Sequence, residues 1–158
     1  GVDKELGFSL STDKYFKTQL DKHFITEDLV EEINFGEGQK NVYAKSNNTE
    51  IITYRDGDLL MSSNDYGKGR AVYIAGLPYS IQNTRILMRS LFYAAHKEEE
   101  MKKWYADNIN CEVSAYLESK RYAVINNSYE TQVTVVYDGN GIGTEVELQP
   151  CEIKWFNI

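Results

Sequence analysis

The sequence is poor in the residues on which self-contained chemistry usually rests. Two cysteines and two histidines are all it holds in 158 residues. Cys111 and Cys151 are too few for a disulfide framework and read as reduced thiols of a cytosolic protein, with a pairing between two strands as the alternative. No His/Cys pair has the spacing of a metal site. His23 and His96 lie in no triad context, and Cys111 stands at the start of a strand rather than on a strand-to-helix elbow between glycines. Basic residues are scattered, and 24 acidic against 17 basic side chains give a net charge of −7. Nucleic acid and anionic membrane are therefore poor partners, because phosphate contacts need clustered cations. No apolar run approaches the ~20 residues of a membrane span, and no signal peptide or internal repeat is visible.

What is present is a chain with 42 % hydrophobic and 13 % aromatic residues, twelve of them Tyr, enough to bury a core. It is organised around Gly67–Ala95. Gly67 and Gly69 bracket Lys68 in a tight turn. Arg70–Ala75 is nearly continuous apolar, as in a strand covered on both faces. Gly76 and Pro78 end it, and Ser80 is placed to cap a helix. Thr84, Leu87, Met88, Leu91, Phe92 and Ala95 then recur with helical spacing, which predicts that this stripe faces the core while Gln82, Arg85 and Arg89 face elsewhere. Strand, short polar loop and helix together predict a parallel, helix-covered sheet.

Before this unit, Phe8–Asp13 reads as a short strand and Lys14–Phe24 as a short helix. Thr26 is placed to cap a helix over Glu27–Ile33, with acidic residues in its first turn, and Gly36 and Gly38 stop it. Val42–Lys45, Glu50–Arg55 and Leu59–Asn64 read as strands, the first two joined at Asn47-Asn48 and the last two through the hairpin signal Asp56-Gly57. A charged helix over Glu98–Tyr105 would carry the i,i+4 pairs Glu98/Lys102 and Glu99/Lys103. Beyond Asp107 the pattern changes to five short alternating runs: Glu112–Leu117, Tyr122–Asn126, Gln132–Tyr137, Gly143–Leu148 and Glu152–Ile158. Their spacing suggests a small antiparallel β-sandwich or half-barrel of about fifty residues with a thin core. The predicted division is 1–106, an α/β part, and 107–158, an all-β part. Since the sequence opens on Gly1 without Met, a fragment of a longer protein is expected.

Few groups are placed for chemistry. Gly67-Lys-Gly-Arg70 lacks the phosphate-loop spacing and reads as a plain turn. The loop Leu77–Arg85 is better placed, because open α/β sheets bind ligands beyond the carboxyl ends of their strands. Its Tyr79, Gln82, Asn83 and Arg85 form the candidate substrate-proximal set; the alternative is a capped helix with solvated neighbours. Trp104, Tyr105, Tyr116, Tyr122, Tyr137, Trp155 and Phe156 read either as a sugar-stacking platform or as core and docking surface. No catalytic residue can be named.

An ordered set of stretches carries a family resemblance: Gly1–Tyr15, His23-Phe-Ile-Thr26, Phe35-Gly-Glu37 with Asn41-Val-Tyr43, Leu77–Arg85, Val124-Ile-Asn-Asn-Ser128 and Leu148-Gln-Pro with Trp155-Phe156. Together they resemble the C-terminal third of the galacto-N-biose/lacto-N-biose phosphorylases. The resemblance implies a bacterial, cytoplasmic parent enzyme that cleaves Gal-β1,3-GlcNAc or Gal-β1,3-GalNAc with inversion, giving galactose 1-phosphate. It implies no cofactor and no metal, only inorganic phosphate as co-substrate. The implied architecture is a catalytic (β/α)₈ barrel upstream of Gly1, then an amidotransferase-like (flavodoxin-like) α/β domain, then a small β domain. This stretch would be a non-catalytic support for the barrel and for assembly, including a homodimer; a stand-alone carbohydrate-binding module is the alternative.

Overall fold

A computed structural model describes residues 23–29, 31–45 and 48–158. They fall into two compact units, one ending at His96 and the other spanning Lys97–Ile158. The expected strand at Phe8–Asp13 and most of the helix at Lys14–Phe24 lie outside the described residues, as does half of the Asn47-Asn48 turn.

The first unit is built on a three-stranded antiparallel sheet of β1 (Glu50–Arg55), β2 (Asp58–Tyr66) and β3 (Gly69–Ile74), in that spatial order. Two tight turns make it. Asp56 and Gly57 both have positive φ (53° and 89°), the conformation of a two-residue hairpin, and set Arg55 opposite Asp58. Gly67, with φ 61°, turns β2 into β3 so that Tyr66 faces Gly69. Behind the sheet lies helix α1 (Ile81–Ala94), whose Ser80 hydroxyl accepts from the Asn83 N–H at 3.0 Å. Ile25, Ile33, Phe35, Ile52, Met61 and Ile86 form the buried centre.

This arrangement overturns the expected α/β, amidotransferase-like (flavodoxin-like) fold. Every strand pair among the described residues is antiparallel, in three small sheets, and among them α-helix is confined to α1 and the single turn α2 (Glu98–Met101). The physical reason is the Gly67-Lys68 connection. A two-residue link can only return a strand antiparallel, whereas a parallel neighbour needs a crossover of a dozen or more residues. The apolar run Arg70–Ile74 is accordingly the edge of a hairpin, only half buried, not a strand covered on both faces.

Other local expectations also change. Thr26 caps no helix; it is the last residue of a 3₁₀ turn over Phe24–Thr26, capped by His23, whose Nδ1 accepts from the Ile25 N–H at 3.1 Å. Val42–Lys45 is irregular. The Glu98 helix stops after one turn, so its ion pairs are i,i+3: Lys102 to Glu99 at 3.0 Å and Lys103 to Glu100 at 3.6 Å.

The second unit holds two three-stranded antiparallel sheets. One orders β4 (Tyr105–Ala106), β7 (Gln132–Tyr137) and β8 (Gly143–Leu148); the other orders β5 (Cys111–Tyr116), β6 (Arg121–Asn126) and β9 (Ile153–Asn157). Ala106, Cys111, Val124, Val136, Val146 and Leu148 pack between them, with Val113, Tyr122 and Phe156 at the margin. Buried Asn126 ties two connections, β6–β7 and β8–β9, to this core. Its Nδ2 donates to Glu130 O at 2.8 Å and Gln149 O at 2.9 Å, and its Oδ1 accepts from the Ser128 N–H and hydroxyl. At the β7–β8 loop, Asp138 accepts from the N–H groups of Asn140 and Ile142, and these bonds, that of Ile142 foremost, hold its carboxyl below the usual carboxylate range.

Candidate functional site

The loop singled out from the sequence lies at the start of α1, and its side chains divide sharply. Gln82 is buried, and its amide faces the backbone of Glu31 as one peptide faces another: Nε2 donates to Glu31 O at 3.0 Å, and Oε1 accepts from Glu31 N at 3.2 Å. Asn83, also buried, donates through Nδ2 to Asn34 O (2.9 Å) and Pro78 O (2.7 Å). Arg85 pairs with Asp28 at 3.4 Å. All three therefore stitch α1 to the chain between Asp28 and Asn34. Tyr79 differs, with 94 % of its surface exposed, and is the member of the set that presents a hydrogen-bonding group to solvent.

One turn along α1, Arg89 lies almost wholly buried. Its guanidinium stacks 4.2 Å from the Phe24 ring, donates to Phe24 O, and pairs with Asp28 (3.2 Å) and Glu27. Arg85 and Arg89 thus share one carboxylate, and a planar fork suits this shared, partly dry geometry better than an ammonium.

A second polar cluster, absent from the candidates above, gathers at Glu50. Its Oε2 accepts from Ser63 Oγ at 3.1 Å and Tyr93 Oη at 3.4 Å and lies 3.4 Å from His23 Nε2. Ser, His and Glu in one place invite comparison with a catalytic triad, but the order is wrong. The carboxylate stands between the hydroxyl and the imidazole, while His23 Nδ1 is occupied by the Ile25 N–H. The hydroxyl donates to the weakly basic carboxylate, and the imidazole that would activate a nucleophile is turned to Glu50 and the Ile25 N–H instead. The Tyr93 ring meets His23 edge-on at 4.7 Å, and Arg70 lies over its face at 4.2 Å and donates to its carbonyl. Burial lowers the His23 pKa; Glu50 opposes that shift, and Arg70 and Arg89 add to it. The Tyr93 hydroxyl is pushed up, mainly by burial. Sequence reading missed this cluster because its members come from positions 23, 50, 63, 70 and 93, with no local spacing to signal them.

The aromatic residues of the second unit divide by strand alternation. Tyr122 stacks on Phe156 (5.0 Å, 14°) on the inner face and lies 5.5 Å from Trp104. Tyr105 and Tyr137 pair at 6.2 Å across β4 and β7. On the outer face of β5–β6–β9, Tyr116 and Trp155 lie 5.5 Å apart, about half exposed, with Arg121 over Trp155 at 5.0 Å. Among the described residues no group of three His, Cys, Asp or Glu side chains is placed to hold a metal ion, and no helix is long and apolar enough to cross a membrane.

Comparison with known proteins matches these two regions to two consecutive domains. Residues 1–99 match the lacto-N-biose phosphorylase central domain, and residues 104–156 the lacto-N-biose phosphorylase C-terminal domain. A 1,3-β-galactosyl-N-acetylhexosamine phosphorylase of Lachnoclostridium phytofermentans is 50 % identical over the whole chain, which spans 22 % of that protein. An enzyme of the same name from Bifidobacterium longum subsp. longum is 36 % identical over 98 % of the chain and 25 % of its own length. A D-galactosyl-β-1,4-L-rhamnose phosphorylase of Lachnoclostridium phytofermentans is 31 % identical over 85 % of the chain and 18 % of its own length. The chain thus spans a quarter or less of each of these relatives, and by its two consecutive domain matches it belongs to the lacto-N-biose phosphorylase family.

Proposed function

We propose that this chain is the non-catalytic central and C-terminal portion of a bacterial phosphorylase that cleaves Gal-β1,3-GlcNAc or Gal-β1,3-GalNAc with phosphate, giving galactose 1-phosphate and the N-acetylhexosamine. Its role is to support the catalytic (β/α)₈ barrel of the same cytoplasmic polypeptide. The observation that carries this reading is the use made of the polar side chains. Gln82, Asn83, Arg85, Arg89 and Asn126 are consumed in holding backbone and neighbouring segments, and the Ser63, His23 and Glu50 cluster is arranged without an activated nucleophile. The relative named for a rhamnose acceptor and a 1,4 linkage carries the same region. That supports a part which does not select the acceptor. Tyr79 is the residue of the α1 loop left to approach a ligand.

The test is phosphorolysis of lacto-N-biose by the full-length phosphorylase and by this chain, read as release of galactose 1-phosphate. Release by the long protein and none by the chain is expected; turnover by the chain alone overturns the reading. The exposed Tyr116–Trp155 pair favours the second reading, a carbohydrate-binding module, since neighbouring half-exposed rings offer apolar faces to a pyranose. Saturable quenching of tryptophan fluorescence by galactosides, abolished by Trp155→Ala, would establish it.

A further inference from the structure

Helix α1 is built the wrong way round for a helix on the surface of its unit. Successive residues turn by about 100°. Gln82, Asn83, Ile86, Arg89 and Ser90 occupy the buried side, so four of the five are polar or charged. The opposite side carries Ile81, Leu87, Met88 and Leu91, each between 45 and 57 % exposed, with Thr84 and Ala95 filling the strip. No side chain of this strip is charged. An ordinary surface helix has the reverse pattern, with its apolar stripe on the core and its polar face in water.

Size argues about what covers the strip. Fourteen residues at 1.5 Å each give a helix about 21 Å long, and a face about 10 Å wide amounts to roughly 200 Å². A stable interface between separate proteins buries about 800 Å² on each partner. The strip is thus too small to hold a second copy by itself, but ample for a segment on the same polypeptide, whose effective concentration is high without added contacts. Relatives contain at least three times as much further sequence as this chain supplies.

We propose that Ile81, Leu87, Met88 and Leu91 form a seam onto which an aliphatic face of the remaining polypeptide of the full-length phosphorylase packs, so that α1 is buried on both sides. This rests on the reading that the chain is part of such an enzyme. Arg85 marks one margin of the seam, where its pairing with Asp28 keeps its charge off the apolar strip. The polar inner face is held by hydrogen bonds and ion pairs of fixed geometry, which set the helix rotation and so aim the strip outward.

The experiment measures thiol accessibility at the strip. In a Cys151→Ser background, Leu91→Cys and, separately, Met88→Cys are introduced into this chain and into the full-length phosphorylase; native Cys111 is buried in the chain, and the rate of each Cys151→Ser parent is subtracted as its background. Initial rates of reaction with N-ethylmaleimide are compared with the rate in denaturant. The thiol at position 91 should react nearly as fast as the denatured reference in the chain and at least tenfold slower in the full-length protein. Equal rates in the two proteins overturn the seam. Protection that grows with the concentration of the chain alone also overturns it, in favour of a second copy. The Met88→Cys pair repeats the comparison should Leu91→Cys misfold. Phosphorolysis on the same preparations separates the two readings: turnover by the chain alone refutes the supporting role without altering the labelling ratio.

Discussion

The side-chain amide of Gln82 and the backbone of Glu31 form a closed pair of hydrogen bonds, 3.0 Å in one direction and 3.2 Å in the other. Fifty-one residues separate them, and the irregular chain around Glu31 has no strand neighbour to satisfy its backbone there. Gln82→Ala should therefore take the partners from the part-buried Glu31 N–H and C=O and destabilise the first unit by about 1–2 kcal/mol. Gln82→Glu should be no rescue, since a carboxylate accepts from Glu31 N but faces Glu31 O without a proton to donate. Urea denaturation followed by far-UV circular dichroism checks both.

Arg89 gives a second prediction. Removing its guanidinium takes the partner from half-exposed Glu27 and one of two arginines from Asp28; breaking a fully buried pair from one side costs about 3–5 kcal/mol, which is the ceiling here because Asp28 keeps Arg85. Arg89→Met should approach that loss despite filling similar space. Arg89→Lys should recover only part of it, because an ammonium keeps the charge and forfeits the fork and the stacking on Phe24. Thermal unfolding of the two variants ranks them.

The acid response of the first unit should depend on His23. Burial keeps its folded pKa below the ordinary value of about 6.5. The unfolded chain therefore takes up the proton first as the pH falls. Its contribution is fully present above about pH 6.5, declines as the pH drops below that value, and levels off beneath the folded pKa. His23→Asn keeps a side-chain acceptor for the Ile25 N–H and removes the titration, with Glu50, Tyr93, Arg70 and Arg89 still facing the position. Its melting temperature should fall less than that of the parent between about pH 7 and about pH 5.5. Parallel curves would show that another group sets the slope.

In the second unit, Asn126→Ala should cost about 2–4 kcal/mol by releasing the carbonyls of Glu130 and Gln149 and the Ser128 turn together. Asn126→Asp should be similarly harmful, since it keeps the acceptor for Ser128 but turns the donor into a carboxylate oxygen facing two carbonyls. Hydrogen exchange should show the loss concentrated at residues 127–132 and 149–152.

What the sequence disclosed was whatever its local chemistry determines. The Ser80 cap, the Asp56-Gly57 hairpin and the alternating runs of the second unit are set by residues within a few positions of one another, and their observed bounds lie within one or two residues of those read from pattern. The direction of β3 was misread because an apolar run records burial and not the orientation of its neighbour. The face of α1 was misread for a related reason. Hydropathy marks a surface that some partner covers, and here the partners on the polar side are the carbonyls of Phe24, Glu31 and Asn34 and the carboxylates of Glu27 and Asp28, which no hydropathy pattern shows. The same holds for the thirteen to forty-three residues that separate Glu50 from the groups that meet it. Of the loop set, sequence alone ranked Tyr79 with Gln82, Asn83 and Arg85, although hydrogen bonding divides them.

The Asp56-Gly57 turn also acts as a ruler. Because its two residues are the whole connection, they set Arg55 opposite Asp58 and Tyr54 opposite the core residue Leu59, before the ladder shifts register on either side of Thr53. One extra residue there would turn each side chain of β2 to the opposite surface, whereas the longer Asp138–Ile142 loop can absorb a change in length within its own bends. Tolerance of insertion is thus written into the hairpins unevenly, and an engineered tag or label belongs at the second.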